Sequence, residues 1–520
     1  MLFDRTFHPD EANQTFTTGK LLETGRYVYQ PQDHHGPTLY YAAATIQKAA
    51  GHTDTASLDG TLLRCTPLVF AVLGLVFGVA ALKRLTKSLI PGLLFAVLLG
   101  TSSFFAFFAT DFIQEMLLAC FLLMMFWAGV GYLNPGTKWK TGTWALLFGT
   151  AAGLAFATKE TCLISFAAAA LAAAPFLVKR LTLEKIRARS RDIVLASLGF
   201  LITAFILYSD FGRDFHGVYN AFVAAPLSYL GRAAGDAMAS TGANWHVHPW
   251  WQYFLWLFSG QAVLANFICF GLVYGTVAIP MARAPLDDLV GRARRARRSV
   301  FLFTTMYALL LLAFYSAIPY KTPWCALQIL VSLLLASFLG CINFCEELRS
   351  IALKKNTKIP PTAIHVLSYI PLLYLVCPLL YGNSSAVAKM WRNPDSTDIP
   401  CNYAAASPEV KELAATVASA MASATNHEPP FIAVALPDAD IWPFPWYNRP
   451  YERQTGYWTS FEDLKALADA GIKPTVVIVP MEEGHLVQPL FPHLKHTKRF
   501  YMRPRIPERK VRGVRVRVFW

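Results

Sequence analysis

Two adjacent carboxylates, Asp10 and Glu11, stand near the start of the chain in the polar segment FHPDEA (7–12). A carboxylate can take a proton from a hydroxyl in general base catalysis. A structural role is also open, because acidic residues that follow a proline often form the first turn of a helix. The pair alone does not decide between the two interpretations.

Other ionisable residues stand at the ends of apolar segments, where charge is expensive and usually faces a cavity or a partner. Cations there can stabilise a leaving phosphate, and acidic residues or histidines can contact an acceptor. Each also has a structural interpretation as an ion-pair partner, an interfacial anchor or a loop residue. The cations are Arg64, Lys159 and Lys321, the acidic residues are Asp111 and Glu115, and the histidines are His34, His35, His246 and His248. Asp111 and Glu115 are one helical turn apart, which predicts that they share one face of a helix.

The chain that must position these residues is mostly apolar. Of its 520 residues, 54% are hydrophobic and only 15% are charged, against about 25% charged residues in soluble domains. Several apolar runs reach about 20 residues, enough to cross a bilayer. The sequence therefore predicts an all-α polytopic membrane protein with ten spans, near 62–82, 88–108, 112–132, 143–158, 161–178, 192–209, 250–280, 299–317, 323–343 and 363–382.

Basic residues indicate the orientation of these spans. They cluster after the first, third, fifth, seventh and ninth spans, near 83–87, 138–140, 179–191, 292–298 and 349–358. The positive-inside rule places these loops in the cytoplasm, so the candidate residues are expected together on the extracytoplasmic face of the cell (inner) membrane. The rule also accounts for most of the net charge of +14, and no nucleic-acid-binding motif accompanies that charge.

Residues 1–389 are predicted to form the membrane domain, and residues 390–520 a small extracytoplasmic α/β domain. In the first outer loop, 1–61, residues 1–35 read as polar loop and 36–50 as a short amphipathic helix. In the second domain, helices are predicted at 407–423 and 461–471 and strands at 431–436, 475–480 and 511–520. The aromatic segment WPFPWYNRPY (442–451) is either a carbohydrate-stacking surface or a packing surface against the membrane unit.

The segments HPDEA (8–12) and HHGPTLYY (34–41) resemble the membrane glycosyltransferases of the GT-C fold. More narrowly, four motifs resemble the flippase-activity-associated family, which is related to the dolichyl-phosphate-mannose protein mannosyltransferases. These motifs are DFIQEMLL (111–118), GLAFATKET (153–161), YSAIPYKTPW (315–324) and WPFPWYNRPY (442–451). The resemblance spans nearly the whole chain.

The resemblance implies an inverting enzyme that moves a sugar from a polyprenyl-phosphate donor to a glycan, lipid or protein acceptor. Asp10 would be the general base and Glu11 its neighbour that orients or binds the acceptor. Asp111 and Glu115 match a second acidic position, and Lys159, Lys321 and Arg64 would face the donor phosphate. GT-C enzymes have a transmembrane helix before the acidic loop, which predicts that a preceding helix is missing from this sequence.

Two further questions stay open from the sequence. Some GT-C enzymes need a divalent metal and others do not, and the acidic residues and histidines have no diagnostic metal-ligand spacing. The alternative to an enzyme is a non-catalytic partner of a flippase that binds a lipid-linked glycan. A secondary transporter is less favoured, since transporters place ionisable groups near the bilayer midplane, often in inverted repeats.

Overall fold

The computed structural model of the chain describes residues 2–32, 34–133, 140–178, 182–234, 246–281, 289–354, 359–403, 405–424, 429–438, 440–504 and 513–520. Some residues of the predicted basic clusters, Lys138, Lys179, Arg180, Lys355 and Lys358, lie outside these ranges. Contacts define two compact units. The sheet unit comprises Met1–Arg26, Tyr40–Leu63 and Met390–Trp520, and the helical unit comprises Tyr27–Leu39 and Arg64–Lys389.

The described residues form mainly helices. In chain order these are α1 Pro9–Thr24, α2 Thr38–Ala49, α3 Gly60–Thr86, α4 Ile90–Gly100, α5 Ser103–Phe108, α6 Glu115–Leu133, α7 Thr141–Phe156, α8 Cys162–Leu177, α9 Leu183–Ala188, α10 Ser190–Tyr208, α11 Phe215–Tyr219, α12 Ala225–Ala234, α13 Gln252–Phe258, α14 Ala262–Met281, α15 Leu289–Ala317, α16 Ala326–Lys354, α17 Pro361–Ser368, α18 Ile370–Arg392, α19 Glu409–Ala422, α20 Phe444–Asn448, α21 Phe461–Asp469 and α22 Gly484–Leu490.

Within the described ranges, seven helices are long and apolar enough to cross a membrane: α3, α6, α10, α14, α15, α16 and α18. Three shorter apolar helices, α4, α7 and α8, account for the rest of the ten predicted spans. The predicted span 88–108 is divided because the Thr101 and Ser102 hydroxyls donate to the carbonyls of Val97 (2.7 Å) and Leu99 (2.8 Å) at the end of α4. The prediction of a polytopic helical membrane protein is confirmed.

Helix α16 is the interior helix of the helical unit. In the most apolar stretch of α16, 94% of the residues are buried, compared with 17% in the corresponding stretch of α10. It packs against α14 at a pair of glycines, where a Cβ on Gly340 would lie 2.0 Å from the carbonyl oxygen of Gly271. Such small residues allow membrane helices to approach closely. Helix α16 is therefore packed closely against α14.

The prediction that Asp111 and Glu115 share one face of a helix is wrong. Helix α6 begins at Glu115, and Asp111 lies in the turn that precedes it. Just before Asp111, the Thr110 hydroxyl donates to the carbonyl of Phe107 at 3.1 Å. Short polar side chains of this kind compete with helix hydrogen bonding, which explains why the helix starts later than the apolar pattern suggests.

The sheet unit contains five strands, β1 Ile432–Ala435, β2 Thr455–Trp458, β3 Val476–Pro480, β4 Thr497–Arg503 and β5 Val514–Phe519. They form one sheet in the order β2-β1-β3-β5-β4. Strand β1 pairs in parallel with β2 and β3, while β5 pairs antiparallel with β3 and β4. The predicted strands correspond to β1, β3 and β5, and the predicted helices correspond to α19 and α21.

Strands β2 and β4 lie at the two edges of the sheet, and the sequence analysis does not predict either of them. Strand β2 contains Gly456 and is only half-buried, and β4 begins with the exposed residues Thr497, Lys498 and Arg499. Edge strands are short or charged in natural sheets, which limits pairing with other chains and also weakens their apolar pattern. The prediction of a small α/β domain in the C-terminal part of the chain is confirmed.

The prediction of a polar loop over residues 1–35 is wrong for residues 9–24, which form helix α1. This helix has no apolar stripe, so hydrophobic periodicity could not reveal it. Its start is specified instead by His8 at the N-cap, Pro9 in the first turn and Glu11 at the third position. The predicted amphipathic helix at 36–50 corresponds to α2.

The aromatic segment 442–451 packs against the first-loop residues of the same unit. The ring of Trp446 stacks on that of Phe7 with 4.7 Å between centroids, and Trp442 meets Phe16 edge-on at 5.6 Å. Helix α20, which contains Trp446, also contacts α1. These contacts give the segment a packing role inside the sheet unit.

Candidate active site

Asp10 lies in the first turn of α1, and the start of this helix is a capping box. The Asp10 N–H donates to His8 Nδ1 at 3.2 Å, and the His8 N–H donates to Glu11 Oε2 at 3.0 Å. Two amides that have no partner inside the helix are thereby satisfied. Both interpretations of the acidic pair therefore have a structural basis in this turn.

Glu11 and Asp10 lie in different environments. The Glu11 side chain is fully buried and pairs with the Arg5 guanidinium at 3.2 Å. The Asp10 side chain is 48% exposed, and its carboxylate accepts no hydrogen bond from the part of the chain that the structure describes. Asp10 is therefore the carboxylate of the pair that can meet a substrate, while Glu11 shapes the turn.

In the helical unit, Lys159 and Glu115 form a buried ion pair. The Lys159 ammonium, in the turn between α7 and α8, donates to Glu115 Oε1. Burial alone would lower the pKa of Lys159, but the Glu115 carboxylate outweighs it and holds that pKa above its ordinary value. Glu115 Oε2 is buried and has no hydrogen-bond partner within the described ranges. The charge of Lys159 is thus already balanced.

The next residue, Glu160, anchors a second buried network. His35 Nδ1 donates to Glu160 Oε2 at 2.7 Å, and the Tyr29 hydroxyl donates to Glu160 Oε1 at 2.5 Å. Burial would raise the pKa of Glu160, but His35 and these hydrogen bonds outweigh it and lower that pKa. The Tyr229 hydroxyl lies 2.9 Å from His35 Nδ1. The ring of His35 is thereby fixed, with its Nδ1 side facing the carboxylate.

Lys321 is a buried cation of a different kind. Its ammonium donates to the carbonyl of Ile318 and, at 3.3 Å, to that of His248. Across the described ranges it forms no ion pair with a carboxylate. Burial lowers the pKa of Lys321. Carbonyl oxygens orient an ammonium without cancelling its charge.

The structure brings the segment of His246 and His248 next to Lys321. The Lys321 N–H donates to the His246 carbonyl at 2.8 Å, and the His248 N–H donates to the Pro319 carbonyl at 3.2 Å. The imidazole of His246 lies 4.8 Å from the ring of Tyr320, and that of His248 lies 5.3 Å from Trp256. The backbone of the two histidines therefore holds the turn that contains Lys321.

The remaining candidates are held inside the helical unit. Arg64 is completely buried in α3, and Asp111 is buried in the turn before α6. His34 Nε2 donates to the Val28 carbonyl at 3.1 Å. His34 thus has the loop role that the sequence left open.

Three groups at these sites were not among the predicted site residues. Glu160 was signalled only by its place beside Lys159 in the turn after α7, and His8 only by its place before Pro9. Tyr29 had no signal, because its contact with Glu160 joins residues 131 positions apart. In the described part of the chain, no group of three or more His, Cys, Asp or Glu residues could hold a metal ion.

Comparison with known proteins shows the fold. No protein-family model and no curated protein matches the sequence. ArnT from Cupriavidus metallidurans bound to undecaprenyl phosphate is similar over 99% of this chain and 94% of that chain, with a TM-score of 0.59 and 13% identity. The apo state of ArnT gives the same values.

A third structure, the Archaeoglobus fulgidus oligosaccharyltransferase with zinc and sulfate, covers 92% of this chain and 65% of that chain at 10% identity. Its TM-score of 0.49 is too low to define a shared fold. The similarity to ArnT, by contrast, extends over almost the full length of both chains. The chain therefore has the GT-C fold. The narrower resemblance to the flippase-activity-associated family stays a prediction.

The buried pair of Glu115 and Lys159 predicts a pattern of stabilities. Either Glu115→Gln or Lys159→Met leaves one buried charge without its partner, and should lower the free energy of unfolding in detergent by about 3–5 kcal/mol. The double variant should lose less than the sum of the two. The exposed pair of Glu482 and Arg515 is the control, and Glu482→Gln should cost at most about 1 kcal/mol. Wild-type stability in both single variants would contradict the pairing.

Proposed function

We propose that this protein is a membrane glycosyltransferase that moves a sugar from a polyprenyl-phosphate donor to a hydroxyl group of an extracytoplasmic acceptor. The observation that carries the proposal is the fold shared with ArnT over 99% of the chain, in a structure that holds undecaprenyl phosphate. The acceptor is a glycan, a lipid or a protein, and the protein spans the inner membrane several times.

Asp10 is the proposed general base. Its carboxylate is half-exposed, and it lies at the N terminus of α1, where a negative charge is stabilised. Asp10 takes the proton of the acceptor hydroxyl while that oxygen attacks the anomeric carbon of the donor sugar. The bond between the anomeric carbon and the phosphate oxygen breaks, and polyprenyl phosphate leaves with the electron pair. A single displacement of this kind inverts the anomeric configuration.

Lys321 is the proposed main cation for the donor phosphate. A phosphate group brings negative charge, and its binding is strongest where a cation has no competing carboxylate. Lys159 has such a competitor in Glu115, whereas Lys321 contacts the carbonyls of Ile318 and His248. In this proposal Lys159 supports the site structurally, and the fully buried Arg64 has the same supporting role.

His35 is a second candidate contact for the donor. Its ring is oriented by Glu160 through Nδ1, its side chain is 23% exposed, and Nε2 lies on the opposite side of the ring. With the ring proton on Nδ1, which faces the Glu160 carboxylate, Nε2 has a lone pair that can accept a hydrogen bond from a sugar hydroxyl.

Replacement of Asp10 tests the proposed base. Asp10→Asn keeps the size and polarity of the side chain but cannot take a proton, so the rate of sugar transfer should fall by about 10²–10⁴-fold. The measurement is transfer of labelled sugar in proteoliposomes, with donor and acceptors prepared from membranes of the source organism. Asp398→Asn, at an exposed position in the same unit, should leave transfer unchanged. Undiminished transfer by Asp10→Asn would remove Asp10 from the mechanism.

Replacement of Lys321 tests the proposed phosphate site. Lys321→Met should weaken binding of undecaprenyl phosphate by about 10–100-fold, the loss of one charge-assisted hydrogen bond. Lys473→Met removes an exposed lysine of the sheet unit and should leave binding unchanged. Because burial lowers the pKa of Lys321, its ammonium is lost at a lower pH than that of an exposed lysine. Affinity in the wild type should therefore fall as the pH rises through this pKa, and the Met variant should lack this fall.

Equal affinities of wild type and Lys321→Met for undecaprenyl phosphate would contradict this role. Binding is measured at equilibrium with the lipid in detergent micelles, so the outcome does not depend on the acceptor.

A further inference from the structure

We propose that His8 is a positioning residue for Asp10, and that residues from the C-terminal part of the chain hold His8 in place. The proposal rests on the proposed role of Asp10 as the base. It assigns to Tyr403, which is 395 positions from His8 in the sequence, a part in the reaction beyond its packing in the sheet unit.

The extended segment before α1 is held by three successive backbone amides. The Thr6 N–H donates to Asp395 Oδ1 at 2.7 Å, and the Phe7 N–H donates to the Tyr447 hydroxyl at 2.9 Å. The third amide, of His8, donates to Glu11. A polar loop segment seldom has every amide bound to a side chain, and two of these side chains are remote in sequence. The direction in which the chain enters α1 is therefore set by residues after position 390.

The imidazole of His8 continues this link to Asp10. His8 Nε2 lies 2.7 Å from the Tyr403 carbonyl oxygen, which can only accept a hydrogen bond, so Nε2 carries the proton. In the neutral ring Nδ1 then has a lone pair, and it accepts the Asp10 N–H at 3.2 Å. One ring thus connects the backbone of residue 403 to the backbone of residue 10.

This arrangement orients Asp10 without occupying its carboxylate. Asp10 Oδ2 lies 3.9 Å from His8 Nδ1, and Nδ1 has no proton to donate to it in this tautomer. The carboxylate therefore stays half-exposed while its backbone is fixed. Phe7 adds an apolar anchor, since its ring stacks on Trp446 and meets Tyr447 edge-on with 6.5 Å between centroids. Small displacements of a catalytic group can cost about 10²-fold in rate, so fixing this backbone has consequences for turnover.

Two amide side chains separate the functions of the two ring nitrogens. His8→Asn keeps a polar atom near the position of Nδ1 and loses the donor to Tyr403, whereas His8→Gln keeps a donor near the position of Nε2 and loses the cap of the Asp10 amide. Each variant should lower kcat for sugar transfer about tenfold or more with KM for the donor unchanged. Tyr447→Phe removes one hydroxyl from the ring that contacts Phe7, and should lower kcat about threefold on the same argument.

A second readout does not require turnover. Hydrogen exchange of the peptide that covers residues 5–14 should be faster in all three variants. Tyr447→Phe removes the acceptor of the Phe7 amide, and His8→Gln removes the acceptor of the Asp10 amide. His8→Asn removes the hydrogen bond to the Tyr403 carbonyl that holds the segment in place. The matched controls are His485→Asn and Tyr501→Phe, which change the same residue types at exposed positions of the sheet unit. Both controls should leave kcat and this exchange unchanged.

The outcomes separate this proposal from the proposed function. If the wild type transfers sugar but His8→Asn or His8→Gln turns over at the wild-type kcat, the positioning role of His8 is overturned. If the wild type transfers no sugar, the proposed function fails. The exchange measurement then decides alone: faster exchange in the variants supports the link from Tyr403 to Asp10, and unchanged exchange overturns it.

Discussion

The central constraint on this protein is that charge buried among apolar helices must be balanced inside the chain. The helical unit meets this constraint with pairs of groups. Glu115 balances Lys159, Glu160 accepts hydrogen bonds from His35 and Tyr29, and Glu347 pairs with Arg294 at 2.9 Å. Breaking such a pair leaves an uncompensated charge, which costs more than the pair itself contributes. The helices and turns that carry these residues are therefore locked together by electrostatics as well as by packing.

Two of the candidate groups stand apart from this balance in the described residues. Lys321 is buried and donates to the carbonyl oxygens of His248 and Ile318, and Asp10 presents a half-exposed carboxylate beside the buried Glu11. A cation and a carboxylate of this kind match the two requirements of sugar transfer from a lipid phosphate. We therefore propose structural roles for the residues whose charge is balanced, and functional roles for Asp10 and Lys321.

The sequence predicted the elements whose signal is local. Long apolar runs predicted the spans, and the residue types near the start of the chain indicated Asp10 as a candidate base, which stays a prediction. Contacts between residues remote in sequence could not be predicted. One example is the ion pair of Glu115 and Lys159, which are 44 positions apart. Helix α1 was missed because its start is set by side-chain capping at His8 and Glu11 and not by periodicity. Asp111 was misplaced because a turn interrupts an apolar run, which hydropathy does not register.

We propose that this protein uses a polyprenyl-phosphate sugar as a donor without the help of a second protein. The most direct measurement follows undecaprenyl phosphate and labelled sugar in liposomes that contain the purified protein and no second protein, with acceptors from membranes of the source organism. We expect one molecule of undecaprenyl phosphate to be released for each sugar transferred. Binding of an intact donor without release would contradict it, and would indicate a non-catalytic lipid-binding partner instead.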